Sequence, residues 1–418
     1  MTFKNNSCFI YITLPGTTAP ITAGKFVLEN GVGNFVYGQS YLSRPDAVAI
    51  DPVELPLSEK VFTTAKMGGV FGSLRDSSPD HWGRRVIQKE LDRLDVSETE
   101  YLLKSPDDRI GALGFGLNKE PPAPFYGFNK TLDLERLQNI ADKIVAEDYD
   151  NLAKDKEIVQ AEELLLVGTS MGGARPKAVV SDGDNIWLAK FNTDKDRWNC
   201  ALAEHALLNL AASCGLNVAH SKIMKIGGKD VLLVKRFDRE RVVDEFLRHR
   251  MFSALTALRG DDSATSKENW SYLALVEELR RFGVAPKEDA KELFMRMVFN
   301  ALITNNDDHP RNHAFIATER ENWRLSPAYD LTPAPMIAQE RRDLSMIAGS
   351  RGRWANKKNL LSECGLFLLE PKQAEAIIDI MAEVVKKEWY AKMRHAGVSE
   401  SDCEKLRPAF IYDGFWTE

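Results

Sequence analysis

Residues 304–313 read TNNDDHPRNH and contain two adjacent aspartates, two histidines, an arginine and three asparagines. An apolar stretch at helical spacing precedes this segment, and a short apolar run follows it. So many polar groups between two buried elements need a local reason. Either the segment is an Asx-rich turn at the end of the preceding helix, or its side chains form a functional site.

The spacing within this segment favours a site for phosphoryl transfer. Asp307 and Asn312 are five positions apart, which is the separation used in the catalytic loop of kinases. There the aspartate accepts the proton of the acceptor hydroxyl and the asparagine binds the metal. Asp308 is then the neighbour that does not reach the reaction, and His309 and Arg311 brace the loop.

A second carboxylate is needed to complete a metal site, and Asp330 in LSPAYDLTP is the candidate. The intervening segment predicts a hairpin, HAFIAT to WRLS, which returns the chain to the loop. Mg²⁺ prefers oxygen ligands and keeps several waters, so one aspartate, one asparagine and phosphate oxygens suffice. The carboxylate spacing of a calcium-binding EF-hand is missing.

A lysine lies inside an apolar strand-like run, WLAKF at 187–191. Upstream is the glycine-rich segment GTSMGGARPK (168–177), and downstream Glu204 lies in an otherwise apolar helix. A kinase N-lobe has this order: glycine-rich turn, lysine in the next strand, then a glutamate that holds the lysine. The alternative is that Lys190 reaches water at a strand end and that Glu204 lies on the surface.

The order of predicted elements is β-rich, then mixed, then helical, which indicates an α+β fold. Asn30-Gly31 between two apolar runs predicts a hairpin, and a second hairpin is expected over 178–191. The chain is expected to be helical from about residue 243, apart from the hairpin after residue 313. The predicted helices are 132–146, 157–165, 198–213, 270–282 and 287–303, with more in the last 50 residues.

Composition and charge narrow the function classes. The chain has 418 residues, of which 44% are hydrophobic, so two or three structural units are expected. A net charge of −6 argues against a large surface that binds nucleic-acid phosphates. The five scattered cysteines are expected to be reduced thiols, and no apolar run is long enough for a membrane span or a signal sequence. A cytoplasmic protein is expected.

Taken together, the motifs resemble those of the HipA-like serine/threonine kinases, the toxins of bacterial type II toxin–antitoxin modules. The similar stretches follow the family's order over most of the chain. They are FGSLRDSSPDHWGRR (71–85), GTSMGGARPKAVV (168–180), WLAKF (187–191), LLVKRFDRE (232–240), RMVFNALITNNDDHPRNHAF (296–315) and WRLSPAYDLTP (323–333).

The resemblance implies a two-lobed, protein-kinase-like fold with an additional β-rich N-terminal subdomain. The implied divisions are an N-terminal subdomain over 1–125, a kinase N-lobe over 126–240 and a helical C-lobe over 241–418. It implies Asp307 as the catalytic residue, with Asn312 and Asp330 as Mg²⁺ ligands. The implied ATP-binding residues are Gly172, Gly173, Ala174, Lys190, Lys235, Phe237 and His309, with Glu204 orienting the lysine.

The family also implies regulation and partners. Ser170 corresponds to a serine whose phosphorylation ejects the glycine-rich loop and disables ATP binding. A HipB-like helix-turn-helix antitoxin is the expected partner, with DNA contacted mainly through it. The substrate is expected to be a protein, with aminoacyl-tRNA synthetases as one target class. A small-molecule phosphotransferase of the same fold and a non-catalytic corepressor are the alternatives.

Three other segments have structural interpretations. Asp80 is expected to cap a helix, with Trp82 in a small core. RFDRE (236–240) is expected to form ion pairs between the lobes. The basic run SRGRWANKK (350–358) is either a solvated loop or a surface for a protein substrate or antitoxin-bound DNA.

Overall fold

A computed structural model describes residues 6–122, 129–130, 134–138, 175–243 and 245–417. The predicted helix at 157–165 and the glycine-rich positions Ser170, Gly172, Gly173 and Ala174 lie outside these residues. The chain forms two compact units. The first comprises Met1–Asp194, Lys225–Arg259 and Ile316–Asn322, and the second comprises Lys195–Met224, Gly260–Phe315 and Trp323–Glu418.

The described elements mix strands and helices. The strands are β1 (Ser7–Thr13), β2 (Pro20–Glu29), β3 (Val32–Tyr37), β4 (Phe62–Thr64), β5 (Leu113–Gly116), β6 (Asn129–Lys130), β7 (Lys177–Ser181), β8 (Ile186–Phe191), β9 (Ser221–Ile226), β10 (Lys229–Lys235), β11 (Arg239–Val242), β12 (Glu245–Arg248), β13 (Arg250–Ser253), β14 (Ala314–Ala317) and β15 (Arg324–Leu325). The helices are α1 (Gln39–Leu42), α2 (Gly72–Asp76), α3 (His81–Glu90), α4 (Glu98–Lys104), α5 (Cys200–Ser213), α6 (Ala254–Ala257), α7 (Ala264–Glu268), α8 (Tyr272–Phe282), α9 (Pro286–Leu302), α10 (Lys357–Ser362), α11 (Pro371–His395) and α12 (Glu400–Leu406).

The first unit begins with a five-stranded sheet in the order β4-β3-β2-β1-β5. Its predicted hairpin is confirmed: Asn30 and Gly31 have φ values of 50° and 76° and join β2 to β3. Both positions require a left-handed backbone, which asparagine and glycine adopt most readily. Ile10, Ile12 and Phe26 are fully buried in the core of this sheet. The alternating apolar pattern of the sequence therefore becomes the buried face.

A second five-stranded sheet has the order β6-β7-β8-β10-β9, and its strands β6, β7, β8 and β10 lie in the first unit. The predicted hairpin between β7 and β8 is confirmed, and the carboxylate of Asp182 organises its turn. It accepts a hydrogen bond from the backbone N–H of Asn185 at 2.8 Å and from the Trp187 indole at 2.7 Å. In this register Lys190 is opposite Lys177 on one side and Leu232 on the other. The turn thus fixes which side chains share a face with Lys190.

The expectation that the chain is helical from residue 243 is wrong for the first ten positions. Strands β12 and β13 occupy residues 245–253, and the first helix after them is α6. The arginines of this segment bind distant carbonyl groups. Arg248 donates to the carbonyl oxygen of Leu113 at 2.9 Å, and Arg250 donates to that of Ala49 at 2.9 Å. These contacts favour an extended backbone and leave no trace in the local sequence pattern.

The second unit is mainly helical, as the sequence predicted. Helix α5 begins at an Asn199 cap, whose side chain accepts from the Leu202 N–H at 3.1 Å, and Gly215 follows its end with φ 87°. Helix α9 starts with a proline at its first position, where the missing N–H costs nothing. Its inward face includes Leu293 and Phe294, both fully buried. This helix leads directly into the polar segment at 304–313.

The cysteines and the helices can be compared with two expectations from the sequence, reduced thiols and no membrane span. All five cysteines are unpaired by disulfides, and four of them are buried. None of the helices in the described part of the chain is long and apolar enough to cross a membrane.

Candidate functional site

The polar segment begins with a strained residue at the end of α9. Thr304 has φ 52°, a left-handed conformation that is uncommon for a β-branched residue. Its hydroxyl donates to the carbonyl oxygen of Ala409 at 2.6 Å and accepts from the Arg342 guanidinium at 2.7 Å. Surrounding contacts therefore hold the chain in a sharp turn away from the helix axis.

Asn305 holds the next part of the loop from inside. It is fully buried, and its backbone and side-chain N–H groups donate to the main-chain and side-chain oxygens of Asn300 at 2.8 and 3.1 Å. Its own side-chain oxygen accepts the backbone N–H of Asp307 at 3.3 Å. The backbone of Asp307 is thus anchored, whereas its side chain is exposed. An anchored but accessible carboxylate is what a general base for an incoming substrate requires.

The neighbouring aspartate has the opposite environment, as the sequence predicted. Asp308 is 2% exposed, and its Oδ2 accepts the hydroxyl of Tyr272 and lies 3.1 Å from Nε2 of His313. The rings of Tyr272 and His313 also meet edge to face, with centroids 5.5 Å apart. Asp308 therefore anchors the loop to the buried side chains of Tyr272 and His313, and its carboxylate is not accessible to a substrate.

Asn312 closes the loop onto Asp307. Its side-chain N–H donates to the backbone carbonyl of Asp307 at 3.0 Å, and its backbone N–H donates to His309 at 2.8 Å. Because the amide nitrogen is used as a donor here, the amide oxygen is the atom left for a ligand. The structure therefore brings the two positions of the five-residue spacing into direct contact.

The segment that carries Asp330 lies against this loop. The hydroxyl of Tyr329 donates to the backbone carbonyl of Arg311 at 2.8 Å. Asp330 itself has φ 59°, the left-handed region, where a non-glycine residue needs surrounding contacts to hold it. Strained backbone of this kind clusters at functional sites. Its position one residue after a loop-binding tyrosine agrees with the predicted role.

His309 and Arg311 differ in how they are held. Arg311 forms an ion pair with Asp262 at 3.0 Å, which supports the prediction that it braces the loop. His309 packs against Trp270 with ring centroids 6.3 Å apart, but its Nδ1 is buried and has no hydrogen-bond partner among the residues that the structure describes. A buried polar atom of this kind is costly unless a ligand or water completes it. This observation fits the prediction that His309 contacts the nucleotide.

The donor set of this loop fits a magnesium ion bound together with phosphates. The described residues contain no cluster of three or more histidine, cysteine, aspartate or glutamate side chains that could hold a metal alone. Asn312 and Asp330 supply only hard oxygen atoms, which Mg²⁺ prefers, and Mg²⁺ usually takes its remaining ligands from water and phosphate. The ion would neutralise charge on the phosphates when bound.

The predicted nucleotide-binding positions outside this loop lie mainly in the first unit. Lys190 is half-buried on β8, Lys235 ends β10, and Phe237 follows it. Glu204 is 6% exposed on α5 of the second unit, so it is not the surface glutamate of the alternative. The meeting of Lys190 with Glu204 and with Asp307 around one nucleotide stays a prediction.

The RFDRE segment forms ion pairs, but within the first unit rather than between lobes. Asp238 lies 2.7 Å from the Arg236 guanidinium and 2.8 Å from that of Arg239. Both arginines also donate to the backbone carbonyl of Arg109. Burial alone would raise the pKa of Asp238, but the two guanidinium charges hold it well below its usual range. The network therefore ties the end of β10 to the loop before β5.

The basic run at 350–358 is largely used within its own unit. The guanidinium groups of Arg341 and Arg351 lie 5.6 and 5.7 Å from the Trp354 ring. Lys357 forms an ion pair with Asp379 at 2.7 Å. These contacts support the structural interpretation of the run more than a basic binding surface.

Two residues with evident roles were missed at the sequence level. Tyr272 binds Asp308 from 36 positions upstream, and Lys177 binds Asp80 from 97 positions downstream. Neither has a local motif. A charged residue at the first position of a buried strand was the one available signal for Lys177.

The fold agrees with comparisons to known proteins. A HipA-like C-terminal domain model matches residues 169–389, more than half of the chain, and a HipA N-terminal domain model matches residues 18–116. The chain therefore belongs to the HipA-like family. HipA from Shewanella oneidensis MR-1, solved with HipB and operator DNA, has the same fold: the TM-score is 0.69 at 17% identity, covering 96% of this chain and 94% of that one.

Two curated bacterial proteins are also similar to this chain. "Putative kinase Y4mE" of Sinorhizobium fredii is 25% identical over 194 residues, which is 44% of this chain and 46% of that protein. A "Putative kinase" of Haemophilus influenzae is 25% identical over 169 residues, which is 35% of this chain and 49% of that protein. The chain thus spans about half the length of the curated relatives it matches.

Proposed function

We propose that this chain is an ATP- and Mg²⁺-dependent protein serine/threonine kinase that acts as the toxin of a type II toxin–antitoxin module. The observation that carries this proposal is the loop around Asp307. The backbone of Asp307 is anchored while its carboxylate is exposed, and the Asn312 side-chain N–H donates to the Asp307 backbone carbonyl at 3.0 Å. The family membership and the kinase names of the two relatives support the same reaction class.

The predicted site residues have the following roles in the proposed mechanism. Asp307 orients the hydroxyl of a substrate serine or threonine and accepts its proton as the hydroxyl oxygen attacks the γ-phosphorus in line. The bond from the γ-phosphorus to the β–γ bridging oxygen breaks, and ADP leaves. The Lys190 ammonium offsets negative charge on the phosphates. Asn312 and Asp330 would hold the Mg²⁺ ion, which would neutralise the same charge when bound. Most of the rate comes from positioning and electrostatics, because the protein forms no covalent intermediate.

Regulation by the glycine-rich loop and by a partner is part of the proposal. A phosphate on Ser170 would bring up to two negative charges beside the phosphate-binding segment, where they repel the nucleotide. A HipB-like helix-turn-helix antitoxin is the proposed partner and the main contact to DNA, since HipA of Shewanella oneidensis was solved with HipB and operator DNA. The proposed substrate is a cytoplasmic protein, with aminoacyl-tRNA synthetases as one class.

The adjacent aspartates offer a sharp test with a built-in control. Incubated with labelled ATP and Mg²⁺, the wild-type chain should label itself at Ser170. Asp307→Asn should abolish labelling but keep ATP affinity and melting temperature, because this side chain is exposed and its backbone bonds remain. Asp308→Asn should lower the free energy of unfolding by about 1–3 kcal/mol, because it removes a charged acceptor from Tyr272 and His313.

Other outcomes separate the alternatives. Transfer of label to small molecules without self-labelling would favour a small-molecule phosphotransferase. ATP binding without any transfer, in both the wild type and Asp307→Asn, would favour a non-catalytic corepressor. Loss of ATP affinity in Asp307→Asn equal to the loss of rate would contradict the role of Asp307 as the base.

A further inference from the structure

Asp80 binds two groups that the proposed reaction does not use. Its Oδ1 accepts the backbone N–H of Gly83 at 2.7 Å, so the prediction that it caps helix α3 is confirmed. Its Oδ2 accepts the Lys177 ammonium at 2.7 Å. The two side chains are only 4% and 3% exposed. Removing one partner of such a buried pair leaves an uncompensated charge, so the pair constrains both elements that carry it.

Lys177 lies at the start of β7, beside the strand that carries Lys190. It is the first residue of β7 and the last residue of the glycine-rich segment (168–177). In the β7–β8 ladder it is opposite Lys190. Cross-strand partners share a face of the sheet, with Cβ atoms about 5 Å apart. Two ammonium groups so placed repel each other, and Asp80 offsets the charge of one of them.

The ladder also continues to the edge of the glycine-rich segment. The backbone N–H of Phe191 donates to the carbonyl of Pro176 at 3.2 Å. Lys190 is therefore a direct neighbour of Lys177, the residue of β7 that Asp80 holds in place. A shift of β7 would move both the end of the glycine-rich segment and the strand that carries Lys190.

We propose that Asp80 is a positioning residue for Lys190: it neutralises Lys177 and fixes the start of β7, so that Lys190 meets the ATP phosphates in one set position. This inference rests on the proposed kinase function. Asp80 lies within the HipA N-terminal domain match and Lys177 within the C-terminal one. The N-terminal domain therefore takes part in nucleotide binding through this ion pair.

The experiment measures ATP affinity in the presence of Mg²⁺ by calorimetry, together with the melting temperature, on the full chain. Asp80→Asn isolates the charge, because asparagine caps helices as well as aspartate does. It should weaken ATP binding by about tenfold, equivalent to about 1.4 kcal/mol. Asp80→Glu should retain most of the affinity, since it keeps the carboxylate. Asp80→Asn combined with Lys177→Met removes both charges and should restore affinity to within about threefold of wild type.

Asp76→Asn is the matched control in the same domain. Asp76 is also buried, and its carboxylate accepts the backbone N–H of Ser253 and the hydroxyl of Thr256, each at 2.7 Å. This variant should lower the melting temperature without changing ATP affinity, which separates a loss of stability from a loss of positioning.

The outcomes are distinguishable. Equal ATP affinity in wild type and Asp80→Asn would overturn the positioning role while leaving the proposed kinase intact. Equal weakness in Asp80→Asn and the double variant would overturn the neutralisation argument. A wild-type chain that binds no ATP would overturn the proposed function itself, and the inference with it.

Discussion

At the scale of single residues, two neighbouring aspartates have opposite environments. The five-residue spacing to Asn312 identified Asp307 as the outward carboxylate, and the exposure of Asp307 agrees with it. The partners of Asp308 could not be predicted, because Tyr272 comes from another helix and His313 has no motif of its own. Spacing within a loop can be read from the sequence, whereas contacts between distant segments depend on packing.

The buried carboxylate of Asp238 leads to a prediction about stability and pH. Asp238→Asn should cost about 3–5 kcal/mol of unfolding free energy at pH 7, because it leaves Arg236 and Arg239 buried without a counter-charge. Urea denaturation measures this loss. Asp46→Asn, which removes one partner of an exposed ion pair with Arg44, is the control and should leave the free energy of unfolding nearly unchanged.

The free energy of unfolding at acidic pH provides a second test of Asp238. Burial opposes the charged form of Asp238, but the two arginines outweigh it and hold the folded-state pKa below its ordinary value. Its contribution is therefore present above the unfolded pKa of about 3.9 and is lost as the pH falls below that value. Between about pH 5 and pH 2 the wild type should lose more stability than Asp238→Asn. Parallel curves for the two proteins would show that Asp238 is not held in this way.

At the scale of elements, local signals predicted most strands and helices. The hairpin turns at Asn30-Gly31 and Asp182–Asn185 and the helices α5, α8 and α9 follow from turn residues, caps and apolar periodicity. The segment at 245–253 was wrongly predicted as helix. Its strands are fixed by arginine contacts to carbonyl groups more than 130 residues away in the sequence, and local patterns carry no information about them.

Helix α4 allows a prediction at this scale, because it begins with a complete capping box. The Ser97 hydroxyl accepts the Glu100 N–H at 3.3 Å, and the Glu100 carboxylate accepts the Ser97 N–H at 2.9 Å. Ser97→Ala should lower the free energy of unfolding by about 1 kcal/mol, as judged by urea denaturation. Ser43→Ala is a control, since its exposed hydroxyl donates to the Gln39 carbonyl at the end of α1 and not at the start of a helix. Equal stability of both variants would mean that the box does not contribute.

At the scale of the whole molecule, the order of motifs along the chain predicted the family and the fold class. The α+β fold, the β-rich N-terminal part and the helical C-terminal part are confirmed by the HipA-like matches and the shared fold. The site is known more coarsely than the fold. Asp307 and Asn312 meet as their spacing predicted, but the glycine-rich positions lie outside the described residues, and the assembly of Lys190 with Asp307 rests on the proposed function.

The overall charge leads to a last prediction, about DNA. With a net charge of −6, the chain lacks the excess of lysine and arginine that non-specific binding to phosphates requires. Two charges of the basic run are engaged within the chain: Lys357 forms an ion pair with Asp379, and the Arg351 guanidinium lies 5.7 Å from the Trp354 ring. The chain alone should therefore bind duplex DNA with a Kd weaker than about 10 μM at physiological salt, as measured by fluorescence anisotropy.

Tight binding by the chain alone, with a steep loss of affinity as salt rises, would show a basic face and direct contact with DNA. Weak binding that becomes tight only when a helix-turn-helix partner is added would place the DNA contacts on that partner, because the partner would then supply the positive surface.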